Sequence, residues 1–253
     1  MNKGFVSVLA TLLGVITLMS AAATRADEIK VMATPALKGV FLELIPQFEQ
    51  ASGHKVVARF FPSPDILRRA KANESADLVI LPGSSVDELI RLGKAVPGSR
   101  IDLAKVGVNV AVRAGAPKPE IGSSDAVKRA LLAAKSIGYS GGASGVYVVR
   151  LFQRMGIADE LKTKSKEAPP GIAVGEMVAR GEVEIGFHQL SELLPIAGID
   201  ILGPLPPDIQ ETTLFSAATL VSAKDHAVAR ALVQLLASPA AIAVMKKNGM
   251  EPG

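Results

Sequence analysis

The chain has 253 residues, 28 Lys and Arg against 24 Asp and Glu, a formal charge of +4, and no cysteine. Zero cysteines exclude disulfides, thiolate metal sites and a cysteine nucleophile. The nearly balanced charge gives no nucleic-acid footprint, and two tyrosines without a tryptophan offer no stacking platform for sugars or bases.

Met1 to Ala26 reads as a secretion signal. Lys3 supplies the basic end, Phe5 to Met19 the apolar run, and Ala21-Ala-Ala-Thr-Arg-Ala26 the small residues for cleavage near Ala26. A run of roughly 15 residues is short of the ~20 that a membrane span needs. The rest, with 26 basic and 24 acidic residues and a formal charge of +2, is expected to be a periplasmic monomer with no membrane insertion. It is long enough to rely on its core, and its length suits two domains of about 100 residues each.

Glu28 to Ala33 alternates like a half-buried strand, and Leu37, Val40, Phe41, Leu44, Ile45 and Phe48 form a helical stripe ending at Gly53. Thr34-Pro35 and Ser63-Pro64 each look like a cap followed by a first helical residue. His54 to Phe61 reads as a strand, and Ala76 to Leu81 as a buried strand of the parallel kind. Pro82-Gly83 then turns into a helix. Strands alternating with helices over short links predict an α/β fold with a parallel sheet.

Val106 to Arg113 reads as a further strand, and Ser124 to Lys135 as a helix. Ser136 to Tyr147 then combines a short strand, a loop rich in glycine and serine, and a helix start; Val148, Leu151, Phe152 and Met155 give that helix an apolar face. Free N–H groups and the positive end of the dipole suit such a start to an anion. Capping by serine explains the same residues without a ligand. Further on come the turn Ala168-Pro-Pro-Gly171, a helix near Val174 to Arg180 and the strand Val183 to Phe187. That strand opens into His188-Gln-Leu-Ser-Glu192. Ile199 to Leu202 is a short strand, Glu211 to Ser222 is long and β-branched, and two helices, about 226–237 and 240–248, close the chain.

Several phrases together resemble the periplasmic molybdate-binding family, a branch of the type 2 solute-binding proteins of ABC transporters. They are Ala36-Leu37, Phe48-Glu-Gln-Ala-Ser-Gly-His-Lys-Val56, Ala76-Asp-Leu-Val-Ile80, Ala143-Ser-Gly-Val-Tyr147, Val178-Ala-Arg-Gly-Glu-Val-Glu-Ile-Gly186 and Lys247-Asn-Gly-Met250. The resemblance implies a two-lobed α/β fold with a ligand cleft between the lobes. Lobe one would be residues 27–105 plus 216–253, and lobe two 106–215. Crossing strands would lie near 106–113 and 213–221. Partners implied are a small anionic ligand and an ABC permease, with no cofactor.

The family holds its oxyanion with serine hydroxyls, helix-start N–H groups and a tyrosine hydroxyl. Matched by position, Ser63 keeps one serine, Ala36 stands where the other belongs with Thr34 nearby, and Gln189 stands for the tyrosine. Ser144 and Gly171 would offer backbone donors. Ser140, Ala143 and Gly145 complete the expected cradle, and Tyr147 would present a hydroxyl to the cleft or pack in the core. Pro169-Pro170-Gly171, Ile185-Gly-Phe-His-Gln-Leu-Ser-Glu192 and Gly203-Pro-Leu-Pro-Pro207 also resemble a subgroup that includes aconitate isomerase.

Two functions compete. One is capture of a small anion, oxyanion or organic carboxylate, for a transporter; this is the preferred reading. The other is isomerisation of a tricarboxylate such as aconitate, with His188 or Glu192 as the base, because histidine titrates near neutrality and Glu192 lies one helical turn away. Asp65 sits in a helix's first turn, where a carboxylate suits the dipole. Arg68 and Arg150 are candidate cations for a polycarboxylate. Three scattered histidines build no metal triad.

Overall fold

The computed structural model describes residues 28–253, so the secretion signal read over 1–26 lies outside the described residues. In chain order come β1 (Glu28–Ala33), α1 (Lys38–Ser52), β2 (Lys55–Phe60), α2 (Ser63–Lys71), β3 (Leu78–Pro82) and α3 (Gly83–Arg91). The long β4 (Ile101–Arg113) leads to α4 (Ser124–Ala133), β5 (Ile137–Tyr139), α5 (Ala143–Arg154), α6 (Ala158–Leu161) and β6 (Ser165–Glu167). Then follow α7 (Val174–Ala179), β7 (Ile185–Gln189), α8 (Leu190–Leu193) and β8 (Ile199–Pro204). The chain returns through β9 (Thr212–Thr219) to α9 (His226–Leu236), α10 (Pro239–Lys247) and β10 (Glu251–Pro252).

Local chemistry sets several of these boundaries. Gly53 ends α1 in the left-handed region at φ 73°, and Ser123, Asp225 and Ser238 cap α4, α9 and α10 with their side chains. The apolar stripe of α1 buries Val40, Phe41, Leu44 and Phe48 against the sheet, in one cluster with Val31, Leu78, Phe215, Leu232 and Met245. A second core, beneath α4 and α5, gathers Val108, Val110, Val127, Leu131, Val148, Phe152 and Phe187. No single helix among the described residues is long and apolar enough to cross a membrane.

The strands form one sheet in the order β2-β1-β3-β9-β4-β7-β5-β6, with β8 and β10 also pairing β4. Within each half the sheet is parallel as read: β1 with β2 and β3, and β5 with β6 and β7. The parallel expectation fails at β4 and β9, which pair antiparallel with each other and with their neighbours. A strand that leaves one half must be matched by one that returns, and the two run in opposite senses. β4 also starts at Ile101 rather than Val106. Asp102 is accommodated there because its carboxylate accepts from Ser216 Oγ at 2.6 Å and pairs with Arg100, and the Ser216 hydroxyl above all holds it below the usual range.

This register fixes where a site can be. β4 joins the halves near Gly107, which faces Thr212 on β9, while the next residue, Val108, faces Gln189 on β7. β3 ends at Pro82 opposite Phe215, so its carboxyl end points toward that crossing, and β1 and β2 run parallel to it. β7 also ends there, and β5 runs parallel to β7. The carboxyl ends of five strands from both halves therefore face one another across the crossing.

Asp77 shows how tightly the first half is pinned. Its buried carboxylate accepts from the amide of Lys30 and from that of Lys224, each at 2.8 Å. Asp77→Ala strands both donors, so urea unfolding is expected to show a loss of ~2–6 kcal/mol, at roughly 1–3 kcal/mol for each unsatisfied group.

Candidate functional site

Thr34 leaves β1, with its amide donating to Ile80, and Phe61 leaves β2 beside it, with its amide donating to Ala33. Thr34 takes the expected N-cap position ahead of Pro35 but makes no side-chain capping bond, and Ser63 lies inside α2, whose N-cap is Pro62. Ser63 Oγ is buried without a hydrogen-bond partner. Pure capping is thereby removed as the explanation of these two hydroxyls.

In the other half Tyr139 faces Phe187, so the loops that follow β5 and β7 leave the sheet side by side. The β5–α5 loop folds on itself: Ser140 Oγ lies 3.1 Å from Ser144 Oγ and accepts from the Gly142 amide at 3.2 Å. Ala143 begins α5 behind Gly142. Gly145 is a glycine because a Cβ there would overlap the Ser140 carbonyl oxygen and lie 2.6 Å from its carbon. Its closest approach is to the loop itself. Glu167 brings a carboxylate beside Gly141, and the Tyr139 hydroxyl titrates above its ordinary range, first because it is buried and second because of Glu167. Gly171 sits on an exposed turn at φ 83° near the same edge, since the Ala168 amide donates to Tyr139.

β7 presents two different faces at its end. Ile185 and Phe187 pack in the core beneath α5, while a Cβ on Gly186 would meet Val174 and Val178 of α7. Strand alternation then directs Gln189 to the α5 face and His188 to the α7 face. His188 Nε2 lies 3.2 Å from Glu192 Oε1, with the two side chains 5% and 15% exposed. His188 Nδ1 and Gln189 Nε2 are both buried without a partner.

α8 then joins the two halves: Leu190 packs onto the core of the first half, and the helix touches residues 35–37. Thr34 and Ser63 on one side, and Ser144 and Gln189 on the other, are each no more than 4% exposed. All four are withdrawn from solvent.

Tyr147 takes the second of its two expected placements, and the two candidate cations are paired elsewhere. Tyr147 does not present its hydroxyl to the cleft; the ring packs in the second core, and the hydroxyl donates to the Ile209 carbonyl while accepting from Arg154 Nη2 at 2.8 Å. One turn along α5 from Ser144, its ring lies under the helix and its hydroxyl reaches the connection between β8 and β9. Arg68 is exposed and paired with Asp65 at 2.9 Å, which also accounts for Asp65, and Arg150 is exposed and 3.4 Å from Glu211. Sequence reasoning passed over Ser191, whose buried hydroxyl also lacks a partner, and Asn109, buried directly across from His188. Asn109 was visible as the polar residue of an apolar strand; a serine in a helical turn gave no signal. Among the described residues no three His, Cys, Asp or Glu side chains could hold a metal ion.

The family described as bacterial extracellular solute-binding protein matches residues 29–251. The chain belongs to that family. It is 39% identical over 237 residues to an aconitate isomerase from a Pseudomonas species, covering 91% of this chain and 90% of the relative. It is 26% identical to the molybdate-binding protein ModA of Azotobacter vinelandii, covering 90% and 92%. The solved periplasmic molybdate-binding protein of Azotobacter vinelandii superposes with a TM-score of 0.70 at 24% identity, over 89% of this chain and 99% of that one. The fold is the two-lobed type 2 periplasmic binding-protein fold, and both the binding and the isomerase readings agree with these likenesses.

Proposed function

We propose that this solute-binding protein captures a small anion in the cleft between lobe one, residues 27–105 plus 216–253, and lobe two, residues 106–215. In this reading it is a monomer, exported with its signal removed near Ala26, that serves an ABC permease. The observation that carries the reading is the pair of buried donors, Ser63 Oγ and Gln189 Nε2, without partners, one in each half of the molecule. A buried polar group left unsatisfied costs roughly 1–3 kcal/mol, which an anion accepting both would relieve. Thr34, Ser140, Ser144 and the amide starts of α2 and α5, with Ala143, Gly145 and Gly171, would complete a neutral cradle. Hinge closure would desolvate the anion.

A thermal-shift screen against molybdate, tungstate, sulfate, phosphate, citrate and both aconitates tests it. A ligand at ~100 times its dissociation constant adds about 2.7 kcal/mol. No shift with any of these would sink the reading.

A second reading, an aconitate isomerase, is favoured by the buried His188–Glu192 pair and by the 39% identical relative of that name. With Nε2–H directed at Glu192, the lone pair of Nδ1 becomes the basic atom. It would take a proton from the methylene carbon of one aconitate isomer; the double bond would shift toward that carbon, and the proton would return to the carbon at the other end of the allylic unit. The steps need no oxidant or co-reactant. His188→Ala is expected to lower turnover, followed by absorbance, by at least ~100-fold, the usual scale of general-base loss. Its aconitate dissociation constant would stay within about threefold, since His188 makes no binding contact in this scheme. Turnover unchanged in His188→Ala would remove the histidine from the chemistry.

A further inference from the structure

The second crossing between the lobes is a proline-rich connection with one 3-10 turn, Pro207–Ile209. β8 ends at Pro204, and Leu205-Pro-Pro-Asp-Ile-Gln210 must deliver the chain to β9 at Thr212. This connection is nonetheless pinned at successive points: the Leu205 amide and Gln210 Nε2 both donate to the Val108 carbonyl of β4, at 3.3 and 3.0 Å. The Ile209 carbonyl accepts from Tyr147. Arg154 donates to the same hydroxyl and lies over the Tyr147 ring at 5.1 Å from its centroid, and Arg150 reaches Glu211. Burial, partly offset by Arg154, raises the tyrosine's titration, so the hydroxyl keeps its proton for Ile209.

α5 thus has one end in the candidate cradle, at Ala143–Gly145, and its middle fastened to the crossing. We propose that Tyr147 is a positioning residue for ligand capture: it fixes the lobe-two end of the second crossing to α5, so that hinge bending is confined to the strands at Gly107 and Thr212 and the α5 donors meet lobe one in register. This rests on the cleft-binding reading. The side chain acts through Ile209 and touches no ligand.

Tyr147→Phe removes the hydroxyl and leaves the ring packed. The chain has no native cysteine, so spin labels at Ala51→Cys on α1 and Ala133→Cys on α4 report one interlobe distance without background. In the ligand-free protein Tyr147→Phe is expected to broaden that distance distribution by about twofold. Affinity for whichever anion of the panel shifts the wild type should fall about three- to tenfold, the scale of one lost hydrogen bond. A distribution identical to wild type would overturn the proposal, even with a lowered melting temperature, because a merely structural tyrosine would change stability alone. Should Tyr147→Phe fail to fold, Arg154→Leu removes the brace while leaving the Tyr147–Ile209 bond, and half the broadening is expected. Wild-type protein that binds none of the anions would defeat the cleft reading, while the distance measurement would still decide the role of Tyr147.

Discussion

Gly145→Ala is expected to lose at least ~3 kcal/mol of stability in urea unfolding, at the upper end of overpacking costs, and to lose anion binding with it. The added methyl would overlap the Ser140 carbonyl oxygen, and the atoms it meets next are Ser140 C at 2.6 Å and Ser140 N at 3.0 Å. All three belong to backbone, which cannot swing aside as a flexible side-chain end would. Relief requires moving the loop from Ser140 to Gly142, and with it the Ser140–Ser144 contact and the first turn of α5. Gly53→Ala is the matched control. That glycine has φ 73° but no atom within 4 Å of a Cβ, so its penalty is the left-handed backbone alone, about 1–2 kcal/mol. Binding should survive there, because Gly53 ends α1 outside the cradle. Equal losses in the two variants would mean that the loop yields easily and that packing at Gly145 does not shape the site.

The same glycine shows how far the sequence could be read. A glycine two residues into a helix after Ser-Gly-Gly announces a close approach, and composition does not reveal whether a ligand or the chain's own backbone makes it. Likewise Thr34-Pro and Ser63-Pro located helix starts, but neither hydroxyl caps: Thr34 holds the N-cap position without a side-chain bond, and Pro62 takes that position ahead of Ser63. The alternation of strands and helices showed an α/β fold because each apolar run has its own period. The antiparallel crossing of β4 and β9 left no local mark: pairing direction is a long-range property, and a strand of Val and Ala suits either sense. Tyr147 lay beyond reach for a related reason. Its position on the helix was legible, yet its acceptor, Ile209, is 62 residues away in a proline-rich connection. Conversely, the opposite facing of His188 and Gln189 follows from a period of two and could have been read from Ile185-Gly-Phe-His-Gln alone.

Ser63→Ala and Gln189→Leu are expected to move stability and affinity in opposite directions. In a structural polar residue the hydrogen bond stabilises the free protein, so removing it lowers the melting temperature. Ser63 Oγ and Gln189 Nε2 are buried with no partner, so the free protein carries their desolvation cost unrelieved. Replacing either by an apolar group of similar volume should raise ligand-free stability by ~1 kcal/mol, or about 2–4 °C in a chain of this size. Affinity for the anion should fall at the same time by about tenfold or more for each variant, because hydrogen bonds to a charged acceptor contribute roughly 1.5–3 kcal/mol. Calorimetric titration beside a melting curve reads both numbers from one preparation. The double variant carries the last step: the two side chains come from different lobes, so a shared anion couples them, and the paired loss should depart from the product of the single losses. Additive losses would place the two donors on separate ligands or separate ends of a long one. A drop in melting temperature with affinity unchanged would assign both groups to the fold.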